Sequence, residues 1–170
     1  MAQELKSRGH EVLLLISEKK VDARASEKYT ELRFETVKAI AKPPTFSPKI
    51  VPFLLRLWKT IKHCGRIVER EKADVVLGMG GFTSFPPVFA GAKRGLRTYV
   101  HESNAIPGRS NRLTARRCTK VLLGLKEASS YFPKAEVVMR GTPVRDELEN
   151  VASREEGCAV FGLDSAKRCL

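Results

Sequence analysis

A chain of 170 residues is long enough for one domain with its own core, and its 42% apolar and 29% charged residues exclude a disordered or fibrous protein. Lys and Arg total 31 against 19 Asp and Glu, so the net charge of +12 points to an anionic partner: nucleic acid, an anionic membrane or a phosphorylated substrate. No apolar run reaches the roughly 18 residues of a transmembrane helix, and the first residues, MAQELKSRGHEV, lack the apolar core of a signal peptide, which predicts a soluble or peripheral protein of the cytoplasm.

In chain order, Met1 to Arg8 reads as the last turns of a helix, stopped by Gly9. Glu11 to Ser17 (EVLLLIS) is a continuous apolar run, the signature of a parallel strand covered on both faces. Glu31 to Thr36 alternates as a shorter strand, and a proline-containing loop follows over Lys42 to Ser47. Lys49 to Glu71 predicts a long helix, with Pro52 tolerable in its first turn. Asp74 to Leu77 is a strand running into Gly78. Ser84 to Arg94 is a helix, Thr98 to His101 a strand and Gly108 to Arg117 a helix. Lys120 to Leu123 and Glu136 to Val138 are strands, and Pro143 to Ala152 opens another helix behind a Thr142 cap. Gly157 to Leu170 reads as a linker. The alternation of short apolar and longer amphipathic segments predicts an α/β fold with a Rossmann-like parallel sheet. Cys64, Cys118, Cys158 and Cys169 fall in no CxxC pair and at no zinc-ligand spacing, which predicts reduced thiols and no metal site.

Three loops carry chemistry. Gly78-Met79-Gly80-Gly81 lies between a strand and a helix, where glycines let the backbone approach a ligand and the helix N-terminus favours a phosphate. A bare strand-to-helix turn fits the same spacing. His101-Glu102-Ser103-Asn104 ends another strand: the His could carry a proton and the Asn could bind a sugar hydroxyl, or the loop could simply be a turn before Pro107. Arg140-Gly141-Thr142-Pro143-Val144-Arg145 opens a helix, and Arg145 could fork onto a phosphate or remain a solvated charge.

Lys49 to Arg66, KIVPFLLRLWKTIKHCGR, holds the only Trp and no acid. Leu54, Leu57, Trp58 and Ile61 share a face beside a stripe of Arg56, Lys59, Lys62 and Arg66. Such a helix can lay its apolar face on a sheet, with Phe53, Trp58 and the basic stripe on an anionic membrane.

The run DVVLGMGGFTSFPPVFAGAKRGLRTYVHESNAIPGRSNRLTARRCTKVLLG, followed by FPKAEVVMRGTPVRDEL, resembles the MurG family of bacterial cell-wall glycosyltransferases. The resemblance rests on GMGG, HExN and G-x-PVR in that order and covers nearly the whole chain. It implies a GT-B enzyme with two Rossmann-like halves. It further implies transfer of N-acetylglucosamine from UDP-N-acetylglucosamine to undecaprenyl-diphospho-muramoyl-pentapeptide, with inversion at the anomeric carbon and with neither metal nor cofactor. Asn104 and Arg145 then correspond to donor-binding positions, and Gly78, Gly80 and Gly81 to a loop facing the acceptor diphosphate. The helix bearing Phe53, Arg56, Trp58, Lys59 and Lys62 corresponds to a membrane-docking patch on the cytoplasmic face of the bacterial inner membrane.

The family's chains open with a strand and a GGTGGH-type loop that does not occur here. The loop's His is a proposed base, so the base stays unassigned, with His101 and Glu102 as candidates. On this reading residues 1–152 form the acceptor-side domain and residues 153–170 a linker into a donor-binding domain. The strands EVLLLIS and DVVL should then be left apart, and the isolated chain should be unstable and inactive. Another GT-B UDP-sugar transferase with a lipid-linked acceptor is the nearest alternative. A nucleic-acid-binding fragment is a further one, although no RNP, KH or helix-turn-helix signature accompanies the charge, and the resemblance implies no nucleic acid partner.

Overall fold

The computed structural model of the protein describes residues 1–18, 26–38, 48, 50–144 and 152–167. The elements, in order, are α1 (Ala2–Ser7), β1 (Leu13–Ser17), β2 (Arg33–Val37), α2 (Ile50–Arg70), β3 (Val75–Gly78), α3 (Gly81–Lys93), β4 (Arg97–Glu102), α4 (Arg109–Ala115), β5 (Lys120–Leu123), a 3-10 turn (Lys126–Tyr131), β6 (Val137–Met139) and α5 (Arg154–Val160). This is the α/β alternation expected from the sequence, and every strand pair is parallel.

The strands fall into two sheets. β1 and β2 form one, and β3-β4-β5-β6 form the other in sequential order. No hydrogen bonds join β1 to β3, so each keeps an edge without a strand partner among the described residues. The separation expected between EVLLLIS and DVVL is therefore present.

Helices hold the two sheets in one body. Val37 of β2, Cys64 and Ile67 of α2 and Ala90 of α3 form one buried cluster, with Leu13, Leu15 and Ile61 against it. A second cluster joins Val121 and Leu123 of β5 to Ala115, Ala128 and Phe132. Exposed ion pairs tie β2 to the end of α2: Arg33 to Glu71 at 2.7 Å, and Arg70 to both Glu35 and Glu71. Hydrogen bonds from Arg70, then Arg33, hold the Glu71 carboxyl below its usual range.

Three features differ from the sequence reading. α3 begins at Gly81 rather than Ser84, which leaves Pro86 and Pro87 inside the helix, where each removes a backbone donor. The expected linker contains α5, whose N-cap Ser153 accepts from Glu156 N–H while the Glu156 carboxylate accepts from Ser153 N–H. On α2 the buried stripe is Phe53, Thr60, Cys64, Gly65, Ile67 and Val68, whereas Leu54 and Trp58 are 53% and 55% exposed. The proline loop lies outside the described residues, as does most of the segment expected to continue from Pro143 as a helix.

Candidate binding cleft at the strand tips

The carboxyl ends of β3 and β4 lie side by side, Gly78 opposite Val100. Such ends are where open parallel sheets take ligands. A cleft of about 370 Å³ opens there, lined by Met79 to Phe82, His101 to Asn104 and Gly108 to Asn111.

The glycines of the first loop have separate duties. Gly80 and Gly81 have φ of +99° and +75°, values that side-chain-bearing residues rarely adopt, and they turn the chain from β3 into α3. Gly78 instead makes room: a Cβ there would lie 2.9 Å from Val88 Cγ2 of α3. Gly78 therefore does not line the cleft, as the sequence reading expected of it, but lets the helix lie close on the strand.

The second loop is organised by Glu102, which is 2% exposed. Its Oε1 accepts from Asn104 N–H at 2.9 Å and Asn104 Nδ2 at 2.8 Å. Its Oε2 accepts from Asn111 Nδ2 at 2.9 Å and Gly108 N–H at 3.3 Å. Four donors on one buried carboxylate leave it no acceptor role toward a substrate, so Glu102 shapes the loop. Asn104, exposed, has its Nδ2 fixed inward, which turns its Oδ1 away from Glu102.

His101 is also 2% exposed. Its Nε2 lies 3.0 Å from Gly141 O, and its Nδ1 lies 3.3 Å from Ser103 Oγ. A carbonyl only accepts, so Nε2 carries a hydrogen and donates to Gly141 O, while Ser103 Oγ pairs with Nδ1. Both ring nitrogens are thus occupied. The ring pins the segment after β6 to the tip of β4, where Arg140 N–H and Gly141 N–H also donate to Leu123 O. That segment leads toward Arg145, which lies outside the described residues.

Ser110, Asn111 and Arg109 were not singled out in the sequence, yet they line the cleft. Ser110 Oγ donates to Gly81 O at 2.7 Å, tying α4 to the glycine turn. Arg109 is exposed at the cleft, where its guanidinium can meet an anion.

The pattern of the glycosyltransferase family 28 N-terminal domain matches residues 1–123. The chain belongs to glycosyltransferase family 28.

Family 28 relatives agree over much of the chain. A UDP-N-acetylglucosamine–N-acetylmuramyl-(pentapeptide) pyrophosphoryl-undecaprenol N-acetylglucosamine transferase of Halothermothrix orenii is 30% identical over 99% of this chain and 46% of its own length. The transferase of the same name from Ruminiclostridium cellulolyticum is 41% identical over 62% of this chain and 29% of its own. The chain thus spans less than half the length of these curated relatives. In three dimensions it is similar to the crystal structure of Acinetobacter baumannii MurG, with a TM-score of 0.68 at 22% identity over 88% of this chain and 41% of that one. A Rickettsia africae glycosyltransferase structure superposes with a TM-score of 0.60 at 13% identity, over 96% of this chain and 44% of that one. These structures establish the fold of this family 28 chain.

Of the residues singled out in the sequence, the structure brings Gly80, Gly81, His101, Glu102 and Asn104 to one cleft. Phe53 was expected on the membrane patch, but it is 8% exposed and packs inward, so it does not belong there. Its place on the outer face is taken by Val51, Leu54 and Leu55, exposed by 60%, 53% and 59%. Among the described residues no helix is long and apolar enough to cross a membrane.

Proposed function

We propose that this chain forms the acceptor-side part of a transferase that moves N-acetylglucosamine from UDP-N-acetylglucosamine to undecaprenyl-diphospho-muramoyl-pentapeptide. One observation carries the reading: the positive-φ Gly80–Gly81 turn and the Glu102-braced Asn104 face the same cleft at the sheet's carboxyl edge. The family, and the activity for which its Halothermothrix orenii relative is named, support the substrate pair.

In this scheme the Gly80–Gly81 turn and Arg109 receive a diphosphate, by backbone N–H groups and by charge. Asn104 offers its carboxamide oxygen to a hydroxyl or amide of the sugar nucleotide. Arg145, as the family position, adds a cation to the same edge. A base removes the proton of the acceptor hydroxyl, that oxygen forms the new bond to the anomeric carbon, and UDP departs with the electrons of the broken bond. His101 and Glu102, their polar atoms occupied, are assigned to holding the loop rather than to the base.

The outer face of α2 supports peripheral attachment to the cytoplasmic side of the membrane. Val51, Leu54, Leu55 and Trp58 are all exposed beside Arg56, Lys59 and Lys62, and Lys62 Nζ lies 4.2 Å from the Trp58 ring centroid. An apolar ridge flanked by cations suits the interface of an anionic bilayer.

The experiment is a transplant. The chain replaces the segment it matches in the Halothermothrix orenii relative, and transfer of labelled N-acetylglucosamine to the lipid-linked acceptor is measured. Transfer that is lost on Asn104→Ala supports the reading, whereas a folded chimera that binds neither substrate contradicts it.

A further inference from the structure

The cleft's rear wall contains a residue to which no role has yet been assigned. Asn111, in the first turn of α4, is 4% exposed. Its Nδ2 donates to Glu102 Oε2 at 2.9 Å and to His101 O at 3.3 Å. Turning the carboxamide over would set Oδ1 against a carboxylate and a carbonyl, three acceptors together, so the network fixes the orientation. Oδ1 is then buried with no donor among the described residues. It lies on the side of the glycine turn: a Cβ on Gly80 would be 3.4 Å from Asn111 Nδ2 and 3.8 Å from Oδ1.

A buried acceptor without a donor lowers stability, and such groups persist where a site requires them. The two hydrogen bonds of the Asn111 side chain and its approach to Gly80 all lead to loops that line the cleft. Toward β4 it holds Glu102, and through Glu102 the Asn104 backbone and side chain. Toward β3 it abuts Gly80, while its neighbour Ser110 grips Gly81 O.

We propose that Asn111 is a positioning residue that couples the glycine turn to the Asn104 loop, acting through Glu102, so that the two halves of the cleft present their ligand groups in fixed register. The inference rests on the proposed binding role of the cleft. Its geometric part, the dependence of Asn104 on Asn111, stands apart from that reading and can be tested without a ligand.

The test uses Asn111→Asp in the full 170-residue chain. The substitution keeps the shape but puts a carboxylate where Nδ2 met Glu102. Two carboxylates in hydrogen-bond contact share one proton: protonated, the pair restores a donor to Glu102; fully ionised, the two repel and Glu102 leaves Asn104. The other ionisable groups nearby are the His101 ring, held by Gly141 and Ser103, and Arg109 and Arg112 on α4, the latter donating to Pro107 O; residues 81–84 of α3 bring no charge. The wild-type chain carries the same groups and is the control.

The readout is hydrogen exchange at the Asn104 side-chain amide by NMR, with circular dichroism in parallel. In Asn111→Asp it should match the wild type near about pH 5 and exchange about tenfold faster near about pH 8, with helix content unchanged. Asn111→Ala, which introduces no charge, should show the faster exchange at both values. Inorganic diphosphate is then titrated as a probe, and its affinity should fall alongside Asn104 protection. Asn104 protection equal to wild type in both variants overturns the proposal, and so does a loss that appears only with loss of helix content. Wild-type chain that keeps Asn104 protected yet gives no diphosphate response at the cleft defeats the functional reading while leaving the coupling in place.

Discussion

Asn104 sends two hydrogen bonds, one from its backbone at 2.9 Å and one from its side chain at 2.8 Å, to a single oxygen of Glu102. The other oxygen takes Asn111 and the Gly108 backbone. A carboxylate buried at the end of a parallel strand thereby shapes a loop exposed at the cleft. It does so only because all four of its partners are donors.

Glu102→Gln replaces one of those oxygens with an amide group. Whichever way it turns, two donors face a donor. Each buried polar group left without a partner costs about 1–3 kcal/mol. The expected result is a urea unfolding free energy lower by about that amount, together with weaker ligand binding. An unchanged midpoint and unchanged binding would show that the carboxylate is not the organiser.

The two kinds of glycine at the β3 tip separate in a mutant cycle. Gly81→Ala meets no atom within 4 Å, so its cost of about 1–2 kcal/mol is purely conformational. Gly78→Ala drives a methyl to 2.9 Å from Val88 Cγ2, an overpacking cost of about 1–3 kcal/mol. Val88→Ala should relieve the second and not the first. Thermal unfolding of the single and double variants checks this, and equal relief at both positions counts against the assignment.

The outward face of α2 should govern membrane binding without governing stability. Leu54→Ser, Leu55→Ser and Trp58→Ser together are expected to reduce sedimentation with phosphatidylglycerol vesicles by about tenfold or more and to leave the melt unchanged. Phe53→Ser should do the reverse. Raised salt should weaken vesicle binding, because Arg56, Lys59 and Lys62 act through screened charge.

Cys64 is fully buried between α2 and its neighbours, and burial pushes its thiol up to about 12 from the ordinary 9.0. The folded state therefore holds its proton more tightly than the unfolded state. The stability it contributes is complete below pH 9.0 and is lost progressively as pH rises toward 12. An alkylating reagent at neutral pH should leave Cys64 unmodified in the folded chain and label it after unfolding. Labelling of native Cys64 at the unfolded rate would mean that the α2 face is open.

Much of this arrangement is legible in the chain. Apolar runs that end in Gly78 or in His101-Glu102 mark strand tips, because a covered parallel strand is apolar until it reaches the ligand edge. The register of the buried helix face is less legible. Trp58 and Leu54 are more apolar than Thr60 and Gly65, yet the small residues face inward, because α3 lies against them. Asn111 was hidden because a polar residue in a helix ordinarily faces water, and only the placement of Glu102 shows otherwise. The Ser153-to-Glu156 capping box was present in the sequence as a helix start, and the glycine that follows it, Gly157, masked the signal.

The proposed function makes the glycine turn and the Asn104 loop one ligand site. It is tested most directly by titrating inorganic diphosphate into the isotope-labelled chain and following backbone amide resonances. Saturable shifts are expected at Gly80, Gly81, Phe82, Asn104 and Arg109, with a common dissociation constant. Unsaturable shifts spread over the Lys and Arg of α2, with those five residues unmoved, would contradict it.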